Sequence, residues 1–212
     1  MNRKKVLIII FLIAIGGAIF GFLYYSNLLK EKVKQNNPVP TPTFTPQVNN
    51  PDTWQTYNDV EYKFSIKYPL DWKKEERYMG MAVIFFSPKE NDLDEFQESV
   101  NVTIEDLSWR KNKDSITLDD YAKESITSLK ASLSDFKLLE GDFYVLDKNP
   151  AYKIVFSAVR NGENLKYIMI FTIRETIAYL VTYTAKENKF TDYEKIANEI
   201  IESFTPLERH TP

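Results

Sequence analysis

Glu90, Asp92, Asp94 and Glu95 place four carboxylates within six residues. Hard oxygens at that density suit a cation such as calcium. Two of them facing one cleft, with Asp92 or Asp94 as the candidates, could act as the acid and base of a hydrolase. An EF-hand loop needs glycine at its sixth position, which this stretch lacks, so a solvated acidic loop is the plainer reading. Asp119 and Asp120 stand where a helix opens and offset its macrodipole there, which explains them without catalysis. Nucleophilic catalysis on a histidine base has no candidate, because the only histidine is His210, in the C-terminal tail. With no cysteine, sulfur-based zinc sites, disulfides and a lipidated cysteine are all excluded. Past residue 50 the glycines are only Gly80, Gly141 and Gly162, so no phosphate-cradling loop exists. Asn101-Val102-Thr103 is a glycosylation sequon inside an expected strand. Trp54, Trp72 and Trp109 could form a ligand surface, although Trp72, just past Tyr68-Pro69, reads as core. The expectation is therefore no catalytic, cofactor-binding or metal-ligating residues, and a protein that is not an enzyme.

The N-terminus says more. Val6–Tyr25 is a run of twenty residues without a charge, which as a helix spans the roughly 30 Å of a bilayer's hydrocarbon core. Arg3, Lys4 and Lys5 precede it and Tyr24 and Tyr25 close it, the flanks of a single-pass signal-anchor. A cleaved signal peptide would have a shorter apolar stretch and small residues where Phe22 and Leu23 stand. Residues 1–5 then form a cytoplasmic tail, and the C-terminal domain lies outside the cytoplasm. Lys30, Lys32 and Lys34 beyond the anchor weaken that bias. Gly17 and Gly21 make a GxxxG spacing that permits weak helix dimerisation. Residues 26–53 comprise a short polar helix extension and a linker with Pro38, Pro40, Pro42, Pro46 and Pro51. Proline removes amide donors and fixes φ, so the linker is a stalk that reaches up to about 60 Å.

Residues 54–205 form one domain, followed by a disordered tail, 206–212. From Pro51 onward there are 21 Lys and Arg against 29 Asp and Glu, a balance of −8. Such a surface repels phosphate backbones and anionic lipid, so no nucleic acid is expected as a partner. Glu61–Tyr68 alternates apolar and polar residues as a half-buried strand does. Met81–Phe86 and Val100–Ile104 are further strands. Thr117 with Asp120 caps a helix carrying Leu118, Tyr121, Ala122, Ser125, Ile126, Leu129 and Leu133 on one stripe. Thr191 with Glu194 repeats the device for a second helix. Between the helices, Phe143–Leu146, Ala151–Val159, Leu165–Ile173 and Ile177–Ala185 read as a meander, with Asn161-Gly162 as a tight turn. Leu165–Ile173 is apolar on both faces, so each face must be covered. The expected fold is α+β, an α/β/α sandwich around a central antiparallel sheet.

Tyr62-Lys63-Phe64-Ser65-Ile66-Lys67-Tyr68-Pro69 followed by Trp72 resembles the opening strand of the PsbP-like domain. Leu118 with Tyr121-Ala122, Pro150-Ala151-Tyr152, and Ser203-Phe204 resemble its later elements, in order, across roughly Tyr57 to Phe204. The resemblance implies a non-catalytic extrinsic or assembly protein; the family is best known on the lumenal side of photosystem II. A relative with the same fold binds a small GTPase. This chain has an anchor and stalk where photosynthetic members have a transit peptide or lipidated cysteine, and the family's histidine and metal contacts have no counterpart here. The combined expectation is a prokaryotic, membrane-tethered accessory module that docks on an unknown membrane or envelope protein. A ligand or cation sensor is the alternative, followed by a carboxylate-based hydrolase.

Overall fold

The computed structural model describes residues 53–110 and 116–207. The run Val6–Tyr25 with Gly17 and Gly21, most of the linker, and His210 lie outside them. Among the described residues no helix is long and apolar enough to cross a membrane. In chain order the elements are β1 (Trp54–Asp59), β2 (Phe64–Pro69), β3 (Lys73–Glu76), β4 (Val83–Phe86), β5 (Ser99–Asp106), α1 (Leu118–Ser132), β6 (Ser134–Leu146), β7 (Asn149–Arg160), β8 (Glu163–Arg174), β9 (Ile177–Lys186), α2 (Phe190–Glu202) and β10 (Thr205–Pro206).

Tight reversals build the main sheet. Asn161 and Gly162 take φ of 50° and 83°, and Asp147 and Lys148 take 45° and 65°, the left-handed conformations of two-residue hairpin turns. Seven strands result, in the order β3-β4-β5-β9-β8-β7-β6. All neighbours are antiparallel.

The strand with two apolar faces is buried on both. Leu165, Tyr167, Met169 and Phe171 of β8 pack with Tyr121, Ala122 and Leu129 of α1. Ile168 and Ile170 point the other way, into a cluster with Phe190, Tyr193, Ala197, Ile200 and Ile201 of α2. Each such side chain contributes about 1.5–3 kcal/mol by leaving water, so β8 ties the two layers together. Helix α1 begins where its cap requires: Asp120 N–H donates to Thr117 Oγ1 at 3.1 Å and Thr117 N–H to Asp120 Oδ2 at 3.4 Å.

Four expectations need correction. Helix α2 starts at Phe190 with Lys189 as an N-cap that makes no side-chain capping bond, not at a Thr191 cap. Phe190 is buried beside Tyr183, whose hydroxyl donates to the Phe190 carbonyl at 2.9 Å; that contact draws Phe190 into the first turn. Strand β2 starts at Phe64, not Glu61, because Glu61 and Tyr62 donate their N–H groups to Asp59 Oδ1 and form a turn. The opening strand does not enter the central sheet: β1-β2-β10 is a separate three-stranded sheet. Tyr57, Phe64, Ile66 and Tyr68 join the α2-side cluster, so one outer layer is helix plus sheet and the other is helix alone. Finally, the fold continues past residue 205. Pro206 pairs with Phe64, Leu207 N–H donates to the Lys63 carbonyl at 2.8 Å, and Arg174 Nη1 donates to the Pro206 carbonyl at 2.9 Å.

Candidate functional site

The acidic loop between β4 and β5 does not gather its carboxylates around a point. Asp94 accepts the N–H of Glu90 on Oδ2 and of Phe96 on Oδ1, both at 3.1 Å. Glu90 pairs with Lys189 at 2.8 Å, which fastens the loop to the start of α2. Asp92 and Glu95 are exposed. Among the described residues no group of three or more acidic or histidine side chains could hold a metal ion. Asp120 serves the cap described above, and Asp119 pairs with Lys123.

The group that the sequence reading passed over is Glu98. It is 2% exposed, and its carboxyl is pushed up from 4.5 to about 7. Burial is the main cause, the charges of Asp94 and Glu90 add to it, and its own N–H and that of Lys186 act against it. Tyr183 of β9 and Tyr193 of α2 both lie within its field, and their hydroxyls are raised well above the usual range, chiefly by burial. The signal was parity. Glu98, Val100 and Val102 are spaced by two, and Val100 and Val102 enter the α2-side core, so a strand carries Glu98 inward with them. The site can bind one proton near neutral pH.

Asp59 is a second buried carboxylate and has the opposite character. It accepts from Arg77 Nη1 at 2.7 Å and Nη2 at 3.2 Å, from the Tyr57 hydroxyl at 3.0 Å, and from the N–H groups of Tyr62 and Glu61 at 2.8 and 3.1 Å. Burial pushes its pKa up, but Arg77 and the other donors outweigh that and hold it below 3.8. The Arg77 guanidinium also lies over the Tyr62 ring, 4.6 Å from its centroid. Five donors saturate this carboxylate, so its work is to clasp the β1–β2 turn to the residue after β3. Arg110 does similar work on the other face. It bonds Glu105 at 3.1 Å and Glu124 at 2.7 Å, and Glu105 also accepts from the Tyr121 hydroxyl.

The remaining sequence candidates disperse. Trp72 is buried and meets Tyr193 edge-on at 6.5 Å. Trp54 is partly buried at the start of β1, and Trp109 is 48% exposed beside Arg110. Asn101 is buried in β5 and accepts from Thr103 Oγ1 at 3.3 Å, so it cannot carry a glycan in the folded state. The exposed large apolar residues include Leu138, Leu139, Phe143 and Val145, all on β6.

Comparison with known proteins agrees with this architecture. A family model described as PsbP-like protein matches residues 6–205. No curated protein matches the chain. Among solved structures, cyanobacterial PsbP (CyanoP) from Synechocystis sp. PCC 6803 superposes with TM-score 0.53 at 18% identity, covering 73% of this chain and 92% of that one. LpqN of Mycobacterium tuberculosis, described as involved in cell envelope biogenesis, gives 0.55 at 12% identity over 72% and 89%. PA94 of Pseudomonas aeruginosa, a protein of unknown function, gives 0.53 at 16% over 74% and 99%. At these identities the structures share the fold.

Proposed function

The chain belongs to the PsbP-like protein family, and on that premise we propose that it is a non-catalytic accessory module tethered to a cell membrane. Val6–Tyr25 is the tether, the proline-rich segment is the spacer, and the folded domain outside the cytoplasm docks on a membrane or envelope protein. The observation that carries this reading is the extent of the family match. It begins at residue 6, the first of the apolar run, and continues to residue 205, which supports reading the apolar run, the proline-rich segment and the domain together as one unit. An envelope partner is in keeping with the involvement in cell envelope biogenesis stated for LpqN, which shares the fold. The described carboxylates support a non-catalytic reading. Asp59 and Asp94 are engaged in holding the backbone, and Glu98 is buried.

Extraction of membranes at alkaline pH tests the tether. Full-length chain should stay in the pellet, with an N-terminus preceding Val6. Release of full-length chain into the supernatant, or a mature N-terminus beyond Tyr25, would overturn the reading.

A further inference from the structure

The two edges of the seven-stranded sheet are built differently. β3 is four residues long, Lys-Lys-Glu-Glu, with Lys73–Glu75 and Lys74–Glu76 ion pairs at 2.6 Å. A short charged edge of this kind resists pairing with another strand. β6 is thirteen residues long, and among the described residues no strand pairs with its outer side. It exposes Leu138, Leu139, Phe143 and Val145 by 44%, 50%, 63% and 64%. Irregularities at Ser134/Lys137 and Leu138/Glu140 disturb its first half, which leaves Glu140–Leu146 as the regular stretch.

The direction of the backbone groups follows from the turn. A two-residue Asp147-Lys148 reversal makes Leu146 and Asn149 a hydrogen-bonded pair. Every second residue before Leu146 then turns its N–H and C=O away from β7, namely Val145, Phe143 and Gly141. The Phe143 N–H confirms this, because it donates to the carboxylate of its own neighbour, Asp142 Oδ1, at 2.7 Å. Gly141 is also informative. A Cβ there would meet only ordinary contacts, the nearest being Tyr152 Oη at 3.6 Å, and its φ is not positive. The domain's own packing leaves room for a Cβ at that point; a glycine inside a strand accompanies an irregularity, such as the one at Leu138/Glu140, or close approach by another backbone.

We propose that the outer edge of β6 pairs antiparallel with β6 of a second copy of this chain, about a two-fold axis at Phe143. Such an axis stands normal to the sheet, so residues of the same face oppose each other. Centring on Phe143 sets Phe143 against itself, Gly141 against Val145, Asp142 against Tyr144 and Glu140 against Leu146. No like charges meet. Centring on Gly141 would oppose Glu140 and Asp142, and centring on Asp142 would oppose that carboxylate to itself, both unfavourable. Centring on Tyr144 shortens the overlap to Asp142–Leu146. In the chosen register the outward groups of Gly141, Phe143 and Val145 exchange main-chain hydrogen bonds, and the incoming carbonyl replaces the Asp142 carboxylate on the Phe143 N–H. Gly141 leaves room for the opposing Val145. A single strand pair is a small interface, so the dimer is weak and depends on concentration.

The inference is independent of the tethering and docking reading. The native chain contains no cysteine, so single-cysteine variants of the full-length protein in detergent report the register directly. Under mild oxidation Phe143→Cys should form a disulfide-linked dimer, since paired Cα atoms in this geometry lie about 5.5 Å apart. Lys73→Cys, on the opposite edge, should not. Sedimentation of the cysteine-free chain should show a monomer–dimer equilibrium, with Val145→Lys weakening it at least about tenfold, or about 1.4 kcal/mol, at unchanged melting temperature. A chain that is monomeric at all concentrations would overturn the proposal. So would a dimer lost in Gly17→Leu but untouched by Val145→Lys, or cross-linking of Phe143→Cys only to a different protein.

Discussion

Asp59→Asn is expected to destabilise the folded domain by about 3 kcal/mol, toward the lower end for removal of one partner from a buried ion pair. The Asp59 side chain is fully buried, whereas that of Arg77 is 43% exposed, so the arginine can recover part of its hydration when its partner is lost. The substitution keeps the shape of the side chain. It removes the charge, leaves a single acceptor oxygen for five donors, and turns an amide NH2 toward a guanidinium. For a domain of this size the melting temperature should fall on the order of 10 °C, and urea unfolding should show a lower midpoint with an unchanged slope. A loss below about 1 kcal/mol would mean that the clasp between the β1–β2 turn and Arg77 is dispensable. The pH dependence has a definite sign. The folded carboxyl titrates below its ordinary 3.8, so its contribution is present above that pH and is lost as pH falls through the folded value.

Glu98→Gln works in the opposite direction. Because the folded carboxyl titrates near 7 rather than 4.5, the wild-type domain carries no penalty below pH 4.5, where the acid is protonated in both folded and unfolded chains. The penalty grows as pH rises from 4.5 toward 7 and levels off above that, reaching about 3 kcal/mol. Glutamine resembles the neutral acid in shape and polarity and cannot ionise. The variant should therefore match the wild type at pH 4 and exceed it at pH 8 by up to about 3 kcal/mol, seen as a melting temperature higher by several degrees, roughly 5–10 °C. The groups surrounding this proton site come from three elements: Glu90 and Asp94 on the loop, Tyr183 and the Lys186 N–H on β9, and Tyr193 on α2. All of them remain in the variant, so the difference between the two pH profiles isolates Glu98. Parallel profiles from pH 4 to 8 would show that the carboxyl is ionised throughout and compensated by its surroundings. Together the two acids set a window of greatest stability on the acid side of neutrality, bounded below by Asp59 and above by Glu98.

The elements legible in the sequence are those whose signal is local. The capping box of Thr117 and Asp120, the Asn161-Gly162 turn and the two-faced apolar run of β8 each encode their geometry within a few residues, and the structure contains all three. β3 was invisible because Lys-Lys-Glu-Glu has no apolar period; its place is set by pairing with β4. The first half of β6 was missed because its two irregularities break the alternation that marks a strand. The separate sheet of β1, β2 and β10 depends on contacts between residues far apart in the chain, such as Phe64 with Phe204 at 5.4 Å, which no local pattern reports. The same distinction applies to the candidate sites. The acidic loop drew attention by composition and proved to be closed on itself by Asp94. Glu98 went unread because one charged residue ahead of Val100 and Val102 looks like a strand end, although its parity already placed it inside.

The most direct test of the tethered docking module is amine-reactive cross-linking in intact cells, followed by identification of the adducts, with the chain intact and with residues 6–25 deleted. The intact chain should form a reproducible adduct with a membrane or envelope protein, and the deletion should abolish it. Recovery of the domain only as an unattached monomer, with or without its apolar segment, would contradict the account.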